Sequence, residues 1–259
     1  MMQDKQPYYI YALPGFLGTA KDWDGSPFVN IEGVDICSSK WVDRLGWVES
    51  KEGPIGTWAR SFNQFVAENR RTETPLLLFG YSMGARFAMH ALIDNPQLWS
   101  GAALVSGHPG IKDPEARYQK LQRDTEWAKQ FEVGSWTKVM DSWNNQDVFA
   151  NDSFIFSRKE SDYEKNKLSR LLQRGSLGLQ KDLRAALMSL PMPILWACGE
   201  LDSRSRQLLP GLSFQHALSR VELIKQAGHR APWENPKDFW SKVENFVDAL
   251  LQESLIKKE

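Results

Sequence analysis

Several things are scarce in this 259-residue chain, and each scarcity removes a class of function. There are two cysteines, Cys37 and Cys198, with no Cys-x-x-Cys spacing, so neither a disulfide framework nor a cysteine metal site is expected. Net charge is absent: Lys and Arg together number 32, as do Asp and Glu. That balance argues against nucleic acid or an anionic membrane as the main partner, while leaving room for a locally basic pocket. No apolar run is long enough to span a bilayer, and Tyr8 to Leu13 is too short to be the core of a signal peptide. A soluble, cytoplasmic protein is expected. Histidine is also scarce, with four residues, which narrows any search for a general base. Tryptophan, by contrast, is plentiful at eleven, enough to fill a core and to line an apolar pocket.

The most informative stretch is Gly80-Tyr81-Ser82-Met83-Gly84. It follows the apolar run Leu76–Phe79 and precedes the helix-like run Ala85–Leu92. Strand, then G-x-S-x-G, then helix is the context of a nucleophile elbow in an α/β-hydrolase fold. Small residues must flank so sharp a turn, and Gly80 and Gly84 supply them. The following helix directs its N-terminal N–H groups at Ser82, favouring negative charge there. The rest of the chain is consistent with that fold. Strands are expected at Tyr8–Leu13, Val34–Cys37, Ala102–Val105, 193–197 and Val221–Ile224, alternating with helices at 57–70 and 236–251. Residues 38–56 read as loop. Such alternation implies an α/β architecture, a mostly parallel sheet flanked by helices. From 107 to 186 charged residues dominate and strand runs are lacking, which predicts a helical cap insertion, with the core formed by 1–106 and 187–259.

A serine nucleophile needs a base, and the base needs an orienting acid. His90 falls within the helix after the elbow, His108 follows a strand, and His216 falls in a stretch expected to be helical. His229 lies in a glycine turn after the last strand, where the base of this fold belongs. Asp202, in Gly199-Glu200-Leu201-Asp202, is the expected acid, with Glu200 second. The backbone N–H groups of Met83 and Phe16, the latter just after Gly15, are the expected oxyanion donors.

Beyond the elbow, Met83-Gly84-Ala85-Arg86 and Gly15-Phe16-Leu17-Gly18 carry a more specific likeness. So do His108-Pro109-Gly110-Ile111, the helix from Asp124 to Phe131, the segment Trp143–Phe149, and Leu177–Leu183. Together with Gly199–Ser203 and Ala227-Gly228-His229, these resemble the 2-succinyl-6-hydroxy-2,4-cyclohexadiene-1-carboxylate synthases of menaquinone biosynthesis. The resemblance implies an enzyme that eliminates pyruvate from an enolpyruvyl cyclohexene polycarboxylate, a small-molecule substrate, with no metal or organic cofactor. Arg86, one helical turn after Ser82, suits a carboxylate-bearing substrate. By resemblance Tyr81, Lys120, Arg117, Trp143 and Arg158 also bind it. The sequence departs from the family where Pro14-Gly15 replaces His-Gly, where Cys37-Ser38-Ser39-Lys40 replaces Pro-Gly-His-Gly, and where Lys120 stands for an arginine. A carboxylesterase or thioesterase working through an acyl-enzyme is the alternative on the same triad, and a noncatalytic binding protein is a further one.

Overall fold

Apolar runs buried on both faces build the central sheet. The computed structural model describes residues 8–28, 31–33, 53–70 and 74–256. Among the described residues six strands run in the order β2-β1-β3-β4-β5-β6: β1 (Tyr9–Leu13), β2 (Ile31–Gly33), β3 (Leu76–Tyr81), β4 (Gly101–Val105), β5 (Ile194–Gly199) and β6 (Arg220–Ile224). Every adjacent pair is parallel. β3, β4 and β5 are buried at every position, the signature of a parallel sheet covered on both sides. Side chains alternate between the two faces. Leu76 and Leu78 join one core with Trp58, Phe62 and Phe87, while Leu77, Phe79 and Tyr81 join the other with Phe239 and Phe246. Helices α1 (Gly53–Asn69) and α2 (Met83–Asp94) cover the first face, and the long C-terminal α9 (Pro236–Ile256) covers the second.

Register levels the strand ends. Leu13 pairs with Gly80, Tyr81 with Val105, and Gly199 with Ile224. The segments beginning at Pro14, Ser82, Ser106, Glu200 and Lys225 therefore leave the sheet along one edge. The chain direction across the sheet reverses between β1 and β3, the switch point at which open α/β sheets bind ligands. All four non-glycine residues with positive φ among the described residues lie just past strand ends: Leu17 (63°), Ser82 (53°), Ser106 (49°) and Gln226 (54°). Backbone strain is thus concentrated along the edge that carries the chemistry.

Between β4 and β5 no strand occurs. The segment holds α3 (Pro114–Val133), α4 (Trp136–Asn144), α5 (Lys165–Arg174) and α6 (Arg184–Met188). Asp113 caps α3 by accepting the Ala116 N–H at 2.7 Å, with Pro114 opening the helix. Short helices α7 (Ser203–Arg206) and α8 (Ala231–Glu234) follow β5 and β6.

Four expectations need comment. The second strand lies at Ile31–Gly33; Val34–Cys37, most of the expected loop 38–56, and the Cys37–Lys40 departure fall outside the described residues. The last four residues of that loop are helical, because α1 begins at Gly53. His216 is not helical but sits in a bend, where its Nδ1 accepts the Leu218 N–H at 3.3 Å. That side-chain bond occupies the Leu218 N–H, which a helix would direct to the Phe214 carbonyl. The expected core boundary after residue 186 falls inside α6. Among the described residues no helix is long and apolar enough to cross a membrane.

Candidate active site

Ser82 joins β3 to α2 at φ 53°, ψ −110°. Only closely approaching backbone permits this turn. A Cβ on Gly80 would lie 2.6 Å from the Ala85 Cα, and one on Gly84 would lie 2.0 Å from the Leu13 carbonyl oxygen. Glycine at both positions lets α2 start against the end of β1, with Ser82 held at the sheet edge.

Two loops from the other side of the sheet complete a hydrogen-bonded relay. His229 Nε2 is 3.0 Å from Ser82 Oγ, and His229 Nδ1 is 2.8 Å from Asp202 Oδ2. Asp202 and His229 are both buried. A carboxylate on Nδ1 fixes the proton there and leaves Nε2 as the acceptor for the serine hydroxyl. Asp202 also receives the Ser205 N–H at 3.0 Å and the Ser205 hydroxyl at 2.6 Å. Burial raises its pKa, but the hydrogen bonds and charge of His229 and the bonds from Ser205 outweigh that and hold the carboxyl below its usual range. Glu200 points elsewhere, its Oε2 accepting the Gln226 N–H at 3.0 Å. Ser106, which the sequence did not single out, donates its hydroxyl to the His229 carbonyl at 3.0 Å.

The loop after β1 runs directly beneath this relay. A Cβ on Gly15 would sit 2.9 Å from the Tyr81 ring and 3.5 Å from Ser82 Cβ. Among the described residues, neither the Phe16 N–H nor the Met83 N–H donates to another protein group. Two free donors beside Ser82 are what a developing oxyanion requires.

Ser82 stands at the junction of two cavities. The larger, about 220 Å³, is lined by Phe16, Met83, Arg86, His108, Lys120 and Trp143 among others. The smaller, about 60 Å³, is lined by Tyr81, Trp143, Asn144, Arg158 and Arg230. Arg86 is buried, and its guanidinium donates to the Gly175 carbonyl at 2.6 Å and to Gln180 Oε1 at 3.5 Å. Burial lowers its pKa to about 10, with Asp124 opposing, so it stays a cation at neutral pH. Lys120 reaches the same cavity and pairs with Asp124. His108 accepts the Gly110 N–H on Nδ1 at 3.1 Å; burial and then Arg86 push its pKa down to about 4, so it is a neutral imidazole. Arg158 lines the smaller cavity and forms a two-pronged pair with Asp22 at 2.8 and 2.6 Å. Trp143 packs against Phe16 (4.9 Å between centroids) and Trp127 (5.1 Å) and bounds both cavities. Tyr81 is buried between His229 and Trp233, which raises its pKa well above the ordinary value.

Arg117 is the expected binding residue that lines neither cavity. Its turn of α3 packs against 177–179, so closely that a Cβ on Gly178 would lie 2.4 Å from the Arg117 carbonyl. Arg230 is the cation that sequence reasoning missed. It is buried, stacks over Phe149 at 4.0 Å, and donates to the Phe154 carbonyl at 2.9 Å and Asn144 Oδ1 at 2.7 Å. The available signal was its position directly after His229.

A parallel sheet, an elbow serine at the strand edge and a Ser–His–Asp relay define the class. The alpha/beta hydrolase family model matches residues 3–242, and the chain belongs to that family. Its relatives include the 2-succinyl-6-hydroxy-2,4-cyclohexadiene-1-carboxylate synthase of Salmonella arizonae, 31% identical over 90% of this chain and 91% of that one. The synthase of Salmonella paratyphi B is 31% identical over 86% and 87%. Within the hydrolase family, the chain is a member of this synthase family. Among solved structures, MenH from S. aureus superposes with a TM-score of 0.80 at 19% identity over 96% of each chain. A thermophilic esterase from Thermogutta terrifontis shares the fold at a TM-score of 0.61 and 14% identity, over 94% of this chain and 90% of that one.

Proposed function

We propose that this enzyme eliminates pyruvate from 2-succinyl-5-enolpyruvyl-6-hydroxy-3-cyclohexene-1-carboxylate in menaquinone biosynthesis. The observation that carries the reading is a buried cation, Arg86, one helical turn from Ser82 and in the same cavity. An esterase for neutral substrates has no use for a desolvated guanidinium beside its nucleophile, whereas a polycarboxylate needs one. The synthase names of relatives at 31% identity support the same substrate.

In this reading Asp202 orients His229, and His229 takes the Ser82 hydroxyl proton. The serine oxygen then removes the acidic ring proton. The C–H electron pair passes into the conjugated system, and the negative charge that collects on oxygen is held by the Phe16 and Met83 N–H groups. A ring C=C forms as the C–O bond to the enolpyruvyl group breaks. Enolpyruvate takes up a proton and tautomerises to pyruvate, and the triad returns to its starting state. Arg86 and Lys120 hold carboxylates in the larger cavity. In the smaller cavity Arg158 does so with Tyr81 and Trp143 as walls, which requires it to share its guanidinium with Asp22. Residues 107–186 act as a cap that closes the site from water.

Pyruvate release from that precursor tests the reading directly. Ser82→Ala is expected to lower kcat by roughly 10³-fold or more. Arg86→Ala should cost about 30- to 1,000-fold in kcat/KM, with Arg86→Lys intermediate because it keeps the charge but not the fork. Absence of pyruvate alongside Ser82-dependent ester cleavage would overturn the lyase assignment in favour of a serine hydrolase.

A further inference from the structure

The turn that carries His229 is gripped by two carboxylates from opposite sides. Glu234, on α8, accepts the Gly228 N–H on Oε2 at 2.6 Å. Asp152, between α4 and α5, accepts the next N–H, that of His229, on Oδ1 at 2.5 Å. The approach is so close that a Cβ on Gly228 would lie 2.3 Å from Asp152 Oδ1. The same stretch is fastened elsewhere. Glu234 Oε1 accepts the N–H groups of Ser153 and, at 3.3 Å, Phe154. Asn151 donates to the Leu201 carbonyl at 3.0 Å, beside Asp202, and Arg230 donates to the Phe154 carbonyl at 2.9 Å. Residues 151–154 therefore touch both loops of the relay. The Asp152 side chain is 1% exposed, so solvent does not compete for its oxygens.

We infer that Asp152 is a positioning residue for the base: by accepting the His229 backbone N–H, it fixes the imidazole on Ser82, so that relay geometry depends on the segment between β4 and β5. The inference rests on the triad assignment above but not on the substrate. Three charged groups face the carboxylate. Glu234 opposes its ionisation, while His229 and Arg230, whose Nε is 3.6 Å from Oδ2, favour it. Burial is the larger influence and raises the Asp152 pKa.

The test compares Asp152→Ala and Asp152→Asn in the full chain, reading the rate at which a fluorophosphonate labels Ser82 and, separately, thermal melting. Asparagine keeps a carbonyl oxygen for the His229 N–H; alanine does not. The expected result is a labelling rate at least tenfold lower in Asp152→Ala, with most of it restored in Asp152→Asn. A purely structural Asp152 would change melting and leave the labelling rate of the folded protein untouched, which would overturn the inference. Equal labelling of the alanine variant and the wild type overturns it alone. A wild type that does not label at all overturns the relay and this inference together.

Discussion

At the residue scale the centre of the molecule is one serine in a conformation that serine disfavours. Ser82 at φ 53°, ψ −110° lies where glycine is at ease and a side chain is not. Ser82→Gly and Ser82→Ala both remove the hydroxyl, so their difference isolates the backbone. Ser82→Gly is expected to be more stable than Ser82→Ala by about 1 kcal/mol, a Tm difference of roughly 2–4 °C, with neither variant active. Calorimetry of the pair checks this, and equal Tm values would contradict it. Ser82, Asp202 and His229 were legible in the sequence because each carries a local signal: a G-x-S-x-G turn, an acid after a strand, a histidine in a glycine turn. Asp152 and Arg230 were not, because their roles come from contacts across 77 and 86 residues with nothing local to mark them. Arg117, one helical turn from Lys120, lines neither cavity, since spacing along α3 alone does not fix which face meets the site.

At the scale of elements, the junction of β1 with α2 carries the most weight. The Gly84 position opens directly onto the Leu13 and Pro14 carbonyls, which are backbone and cannot swing away. Gly84→Ala is expected to destabilise by at least about 3 kcal/mol and to displace the Phe16 N–H from Ser82. Gly25→Ala, where a Cβ meets nothing within 4 Å, is the control and should melt with the wild type in a thermal shift assay. The strands were legible because a parallel sheet buried on both faces writes itself as unbroken apolar runs. The edge strand at Ile31–Gly33 was not among the expected strands, while the expected one at Val34–Cys37 lies outside the described residues. The helices between β4 and β5 could be read as a class but not individually. Their exposed faces are charged on all sides, and α3 in particular buries only Asp124, Ala128 and Phe131.

For the molecule as a whole, two half-buried histidines make stability depend on pH. Burial and then the Arg86 charge lower the pKa of His90 to about 4, and His108 is likewise near 4. Unfolded, both take up protons near pH 6.5; folded, neither does until about pH 4. The unfolded chain thus binds more protons in that window, so stability is complete above pH 6.5 and is lost as pH falls toward 4. Asp152, whose pKa is raised, works the other way and offsets part of the loss. Urea denaturation at pH 7.5 and 5 should show a drop of up to roughly 2 kcal/mol per histidine. His90→Leu removes an imidazole whose Nε2 has no hydrogen-bond partner and should flatten the profile; an unchanged slope would exclude His90 as a source.

The order of the strands also constrains how the chain can be made. β4 waits for β5 across the whole helical segment, and the second face of the sheet waits longer still, for Phe239, Val243, Phe246 and Val247 of α9 near the end of the chain. During synthesis Ile10, Leu77 and Phe79 have little beyond Trp23 and Phe28 to cover that side of them, although the elbow and its helix have long since left the ribosome. The N-terminal part therefore gains no vectorial head start, and the enzyme folds cooperatively only once its last helix is free to close over the sheet.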